Sequence, residues 1–186
     1  MVSKIPQTFG TPGWISCLPG PTVEWIPREG PKELMSVVLD ERMCCSTLFR
    51  AERLSPTVFV VADMLYLNGR YVWETHSYQQ RSKWIQGLLE EFHTGELGQL
   101  LHKDQVLDLP ARGWECYNAQ PGQQGVYLPL PPMVSMKWTP TEEPDSWTNP
   151  TGARLYVKTL EQMKRLRKNP VVPSRVLEDG TAEILV

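Results

Sequence analysis

The chain has 186 residues, of which 41% are hydrophobic and 22% charged, with a formal net charge of −2. These values fit a soluble globular fold of one domain, with room for a small appendage, and exclude a disordered or extreme-charge chain. No apolar run approaches the ~18 residues of a membrane span and the start, MVSKIPQTFG, lacks the apolar core of a secretion signal, so an intracellular, reducing compartment (cytoplasm or nucleus) and no membrane partner are expected.

The first 32 residues alternate short apolar runs with turns. Residues 14–17 and 23–26 read as strands separated by Pro19-Gly20-Pro21, and Arg28-Glu29-Gly30 closes the second. Valine-rich 34–39 and residues 44–49 suggest two more strands. Residues 58–67 form the longest apolar run, interrupted by Asp63 and ending at Asn68-Gly69, the strongest short hairpin signal, with 71–73 as the return strand. Trp84, Ile85, Leu88, Leu89 and Phe92 make one helical face, so 82–92 is predicted as a helix ended by Gly95, and 97–101 as a further helical turn or two.

Residues 103–125 are polar and glycine-rich, predicting loop with one strand. Strands are expected at 126–130 and 133–138, the second alternating Val134, Met136 and Trp138 against Ser135 and Lys137. Residues 139–152 read as a linker, 155–168 as a basic helix with Leu160, Met163 and Leu166 inward, and 171–186 as a hairpin about residues 178–181. The pattern is α+β, rich in antiparallel sheet with a few flanking helices, divided into a domain over 1–150 and a C-terminal appendage over 151–186.

Neither a phosphate-binding glycine loop nor a zinc-type Cys/His spacing occurs. Cys17, Cys44, Cys45 and Cys116 read as reduced structural thiols, and His76, His93 and His102 are scattered, so no metal or cofactor is expected.

In order of parts, the chain resembles the covalent nucleotidyltransferases: mRNA capping enzymes, ATP-dependent ligases and their non-catalytic relative snurportin. The stretch VFVVADMLYLNGR with Asp63, followed by Arg81 and a helix, and Met136-Lys137-Trp138-Thr139-Pro140, similar to a Leu-Lys-Trp-Lys-Pro motif, carry the likeness over residues 14–140. Aligned by order and glycines, the Lys-x-Asp-Gly motif falls on Cys17-Leu18-Pro19-Gly20, the Asp-Gly-Glu-like motif on Cys45-Ser46-Thr47, and the acid-glycine motif on Gln124-Gly125. No OB-fold follows.

The resemblance therefore implies the fold without the reaction. Neither Cys17 nor Pro19 offers the amine that forms a phosphoramidate, and two carboxylates are missing. It implies a domain that binds a nucleotide, RNA cap or RNA end through Cys17, Gly20, Thr47, Asp63, Arg81, Gln124, Gly125, Lys137 and Trp138, in a viral or RNA-processing setting. Trp14, Trp25, Trp73, Trp114 and Trp138 are possible stacking platforms. Residues 154–168 carry a net +5, leaving −7 elsewhere, so Arg154, Lys158, Lys164, Arg165 and Lys168 are candidate RNA contacts or a docking face for a protein partner. Two other readings are a structural or assembly subunit with a vestigial pocket, and an active guanylyltransferase or ligase with an unusual nucleophile.

Overall fold

The computed structural model describes residues 3–20, 22–35, 40–92, 99–107, 109–117, 120–122 and 125–186, with the side chains of 91 and 92 left aside. The chain divides into two compact units, Met1–Pro129 and Leu130–Val186. Both are mixed α+β with antiparallel sheets, as the sequence predicts.

The first unit contains β1 (Ser3–Gln7), β2 (Thr11–Leu18), β3 (Thr22–Pro27), β4 (Glu33–Leu34), β5 (Thr47–Ser55), β6 (Val58–Leu67), β7 (Arg70–Tyr71), helix α1 (Tyr78–Phe92), β8 (Gln99–His102), β9 (Gly113–Tyr117) and β10 (Val126–Pro129). A seven-stranded sheet runs β4-β3-β2-β5-β6-β7, with β8 pairing β6 in parallel. A three-stranded sheet runs β1-β9-β10.

Cross-strand register explains which residues are inside. Ile15 pairs with Phe49 and Phe49 with Met64, a row buried against Ile85 and Leu89 of α1, with Trp84 and Leu88 at its margin. The neighbouring row, Trp14, Arg50 and Asp63, lies on the opposite face because successive side chains alternate. Between Arg50 and Ala51 the register slips: Arg50 faces Asp63 but Ala51 faces Val61. Ala62 is the extra residue of this β-bulge. The slip lets Val61 and Met64 both reach the core while Ala62 packs with Ile5, Tyr78 and Tyr117.

The hairpin after β6 is as predicted. Asn68 and Gly69 have φ of 47° and 82°, the left-handed pair that a two-residue turn requires. Thr47 fastens it, accepting the Asn68 N–H at 3.0 Å. Two expectations differ. Residues 99–102 are a strand rather than a helical turn, because the edge of β6 at Val58–Val61 pairs with them. Only Glu33 and Leu34 form β4 among the described part of 33–39, and Gly95 and residues 36–39 lie outside the described residues.

The second unit contains β11 (Val134–Lys137), β12 (Thr139–Pro140), β13 (Ser146–Thr148), β14 (Arg154–Tyr156), helix α2 (Leu160–Lys168), β15 (Val171–Val176) and β16 (Ala182–Ile184). Two three-stranded sheets, β11-β15-β16 and β12-β13-β14, enclose Trp138, Trp147, Leu155, Leu166, Val172 and Ile184. The C-terminal hairpin stands as expected. The linker expected at 139–152 is instead two strands, and Trp147 within it is core. The helix expected from 155 begins at Leu160, because Leu155 is drawn into β14 and the Thr159 side chain caps the helix by accepting the Gln162 N–H. Position 150, where composition suggested a boundary, lies between paired β13 and β14, and the compact units divide at 129/130.

Candidate functional site

Two cavities open on the Trp14–Arg50–Asp63 face of the first unit. The larger, about 260 Å³, is lined by Trp14, Arg50, Asp63, Trp73, Glu115 and Tyr117, with Leu65, Tyr71 and Gly125 completing the wall. The smaller, about 120 Å³, shares Trp14 and Arg50 with it and adds Gln7, Arg28, Glu52 and Arg112 among others.

The polar groups are held rigidly. Asp63 is buried and takes both Nε and Nη2 of buried Arg81, at 2.8 and 3.0 Å. Arg81 also donates Nη1 to the carbonyls of Trp73 at 3.2 Å and His76 at 2.7 Å, fixing the segment that carries Trp73. Arg50 meets Glu115 in a two-point pair at 2.9 and 2.6 Å and donates to the Tyr117 hydroxyl at 2.7 Å. The Gln7 amide donates to the same Glu115 at 2.7 Å. Tyr117 stacks on Tyr78 with centroids 4.5 Å apart, and Tyr66, Tyr71 and Trp73 form an aromatic row beside the cavity. Gly125 must be glycine here: an added Cβ would sit 2.7 Å from the Glu115 Cγ and 2.8 Å from the Tyr117 Cζ.

The structure sorts the residues expected to bind ligand. Asp63 and Gly125 line the larger cavity, and Arg81 acts behind Asp63. Cys17 does not join them. It is fully buried on the core face beside Ile15, and burial, with Cys44 nearby, pushes its thiol up to about 12. Such a thiol is inert. Thr47 is on that face too and serves the hairpin. Gly20 forms the β2–β3 turn with φ of 91° and open space around it. Gln124 lies outside the described residues. Lys137 is exposed on β11, paired with Val171, and Trp138 is buried in the core of the second unit.

Of the tryptophans, Trp14 and Trp73 line the cavity, Trp25 and Trp138 are core, and Trp114 lies 5.9 Å beneath the Lys4 amine. The basic segment is partly committed. Arg154 pairs with Glu143 at 3.7 Å and Arg165 donates to the Asn169 carbonyl at 3.2 Å, while Lys158, Lys164 and Lys168 are exposed. Cations in the last turn of α2 also interact favourably with the negative end of the helix dipole.

Sequence reasoning did not single out Gln7, Arg50, Glu52, Arg112, Glu115 or Tyr117. The one local signal was charge in alternation along β5: Arg50 and Glu52 interleave with buried Phe49 and Ala51, so a face carrying charge had to be covered by something polar.

Lys103 sits behind this site. Its side chain is buried, its amine lies 4.2 Å over the Tyr78 ring, and burial pushes it down to about 8 despite Asp104 and Asp63. The folded value is below the ~10.4 of an unfolded lysine. The unfolded chain therefore binds the proton more readily, and stability rises with pH from about 8 upward. Above about pH 9 the raised Cys17 thiol works the other way, because the unfolded thiol ionises first. Between pH 8 and 9, Lys103 is expected to add about 1 kcal/mol. Urea unfolding of the wild type and Lys103→Met at pH 7, 8 and 9 measures this, and equal pH slopes in the two proteins would refute it.

No family model matches this sequence, and no curated protein is significantly similar to it. Among the described residues, no helix is long and apolar enough to cross a membrane, and the four cysteines are free thiols.

Proposed function

We propose that the first unit binds a nucleotide, RNA cap or RNA end in the cavity of about 260 Å³ beside Trp14, Trp73 and Asp63, without forming a covalent bond to it. The observation that carries this reading is a cavity lined by the half-buried indoles of Trp14 and Trp73 and the exposed Tyr71 ring, beside carboxylates held in two-point arginine pairs. Aromatic faces stack purines, and cationic methylated bases more strongly. The Glu115 and Asp63 oxygens suit the N–H edge of a base, and their arginine partners hold them in a fixed orientation.

The cavity lining also suggests a better register for the family resemblance. Gln7-Thr8-Phe9-Gly10 has the spacing of Lys-x-Asp-Gly, and Gly10 is sterically required because a Cβ would lie 2.8 Å from the Arg53 carbonyl oxygen. Arg50-Ala51-Glu52 then stands for Asp-Gly-Glu, with the glutamate kept. In this register Gln7, Glu52, Asp63 and Gly125 all line the two adjoining cavities, which supports the resemblance; Cys17 loses its assigned place. A carboxamide at the lysine position cannot attack a phosphate, and no lysine lines either cavity among the described residues. Both points favour binding over transfer.

Titration with guanosine nucleotides and cap analogues, followed by tryptophan fluorescence and calorimetry, is expected to show saturable binding. Trp14→Ala should weaken it by the ~1–3 kcal/mol of one stacked base. No saturable signal up to millimolar ligand sinks the reading. A protein–nucleotide adduct that survives denaturation after incubation with labelled GTP or ATP and a divalent metal overturns its non-covalent part.

One observation favours a role in assembly as well. Edge strand β10 leaves Val126 62%, Tyr127 48% and Leu128 47% exposed, an apolar strip of the kind that pairs with a partner.

A further inference from the structure

We propose that the smaller cavity is an oxyanion site, in which Arg28 and Arg112 take the phosphate groups of the nucleotide whose base the larger cavity holds. The inference rests on the reading above for the base, while its own support is the arrangement of three guanidiniums.

The cavity, about 120 Å³, is roughly four times the ~30 Å³ share of one liquid water, which leaves room for a phosphate group. Its charged lining groups are Arg28, Arg50, Arg112 and Glu52. Arg50 is already neutralised by Glu115. Glu52 has its oxygens occupied by the Thr8 amide at 2.9 Å, the Thr8 hydroxyl and Arg112 Nη2 at 2.9 Å. One cation therefore remains in excess.

Two donor sets are unspent. The Arg112 Nε is buried and has no hydrogen-bond partner among the described residues. Arg28 is fixed at its backbone, its N–H donating to the Pro12 carbonyl at 3.0 Å, yet its side chain makes no hydrogen bond or ion pair among the described residues. A buried unpaired donor is costly, and a planar guanidinium fork matches the oxygens of a phosphate. Because Trp14 and Arg50 line both cavities, one molecule spanning them would place its ring and its phosphates in adjoining spaces. A free nucleoside polyphosphate and a 5′-phosphorylated RNA end present the same chemistry.

Calorimetry of the full chain with guanosine, GMP, GDP, GTP, a 5′-triphosphorylated oligonucleotide and inorganic pyrophosphate tests this. Affinity is expected to rise from guanosine to GDP, and pyrophosphate is expected to bind alone and compete with GDP. Arg28→Ala, at an exposed position, should weaken GDP and pyrophosphate about tenfold, the scale of one hydrogen bond to a charged group, and leave guanosine unchanged. Arg112→Lys keeps the charge but removes Nε, and should weaken the same two ligands. Tighter binding of the oligonucleotide than of GTP assigns the site to an RNA end; the reverse assigns it to the free nucleotide. If guanosine binds as well as GDP and pyrophosphate does not bind, the oxyanion site is overturned while the base reading stands. If pyrophosphate binds in an Arg28-dependent way and nucleotides bind no better, the oxyanion site stands and the base reading fails. If nothing binds, both are overturned.

Discussion

Asp63→Ala is expected to destabilise the first unit by about 3–5 kcal/mol, the cost of stranding a buried charge. Asp63 and Arg81 are each only 1% exposed. With the carboxylate gone, Nε and Nη2 of Arg81 lose both their acceptors, and the guanidinium is left with two carbonyls and the Tyr78 ring 5.6 Å away. The Met64 N–H, which Asp63 Oδ1 accepts at 2.7 Å, is freed as well. The damage should spread to the cavity, because Arg81 links β6, the start of α1 and the Trp73 carbonyl. Denaturant unfolding of Asp63→Ala, Arg81→Met and the double variant Asp63→Leu/Arg81→Met checks this. The double variant should lose much less than the two singles combined, since removing both charges leaves neither unpaired. Singles that each cost under about 1 kcal/mol, the scale of an exposed pair, would show that the pair is not buried in solution.

Local signals and long-range contacts divided what could be read beforehand. Strand β6, its Asn68-Gly69 turn, the α1 face and the C-terminal hairpin depend on periodicity and turn chemistry within about twenty residues, and all were legible. Strand β8 was not, since Leu100 and Leu101 have no strand character until the parallel edge of β6 is beside them. The strands at 139–140 and 146–148 were hidden by proline, threonine and acidic residues, although Trp147 pulls them onto the core. The cavity depends on pairs distant in sequence: Arg50 to Glu115 spans 65 positions, and Gln7 to Glu115 spans 108. Cys17 was open to a better reading. In Trp-Ile-Ser-Cys the thiol shares the parity of Ile15, so a strand buried on the Ile15 side buries Cys17 too and leaves Trp14 to face the cavity.

Trp138 is the residue for which a ligand role and a packing role predict opposite results. Trp138→Ala is expected to cost about 3–5 kcal/mol, the range for emptying a buried aromatic site. The ring is 1% exposed and packs in the cluster of Trp147, Leu155, Leu166, Val172 and Ile184, while its indole N–H donates to the Ser174 hydroxyl at 2.9 Å. The unit it belongs to, Leu130–Val186, is small, and a single core of that size rarely supplies more than ~3–5 kcal/mol. The substitution should therefore unfold the second unit at 25 °C, seen as collapsed amide dispersion and rapid proteolysis over 130–186, with the signals of the first unit kept. Trp138→Phe retains most of the packing and loses the bond to Ser174, whose own hydroxyl still donates to the Val172 carbonyl at 2.8 Å. It should cost about 1–2 kcal/mol and leave the unit folded. The opposite pattern, a stable Trp138→Ala protein with weakened nucleotide binding, would remove Trp138 from the core and restore it as a stacking platform. The burial argues against that pattern, since a ring 1% exposed and packed among Trp147, Leu155, Leu166, Val172 and Ile184 has no face left to offer a ligand.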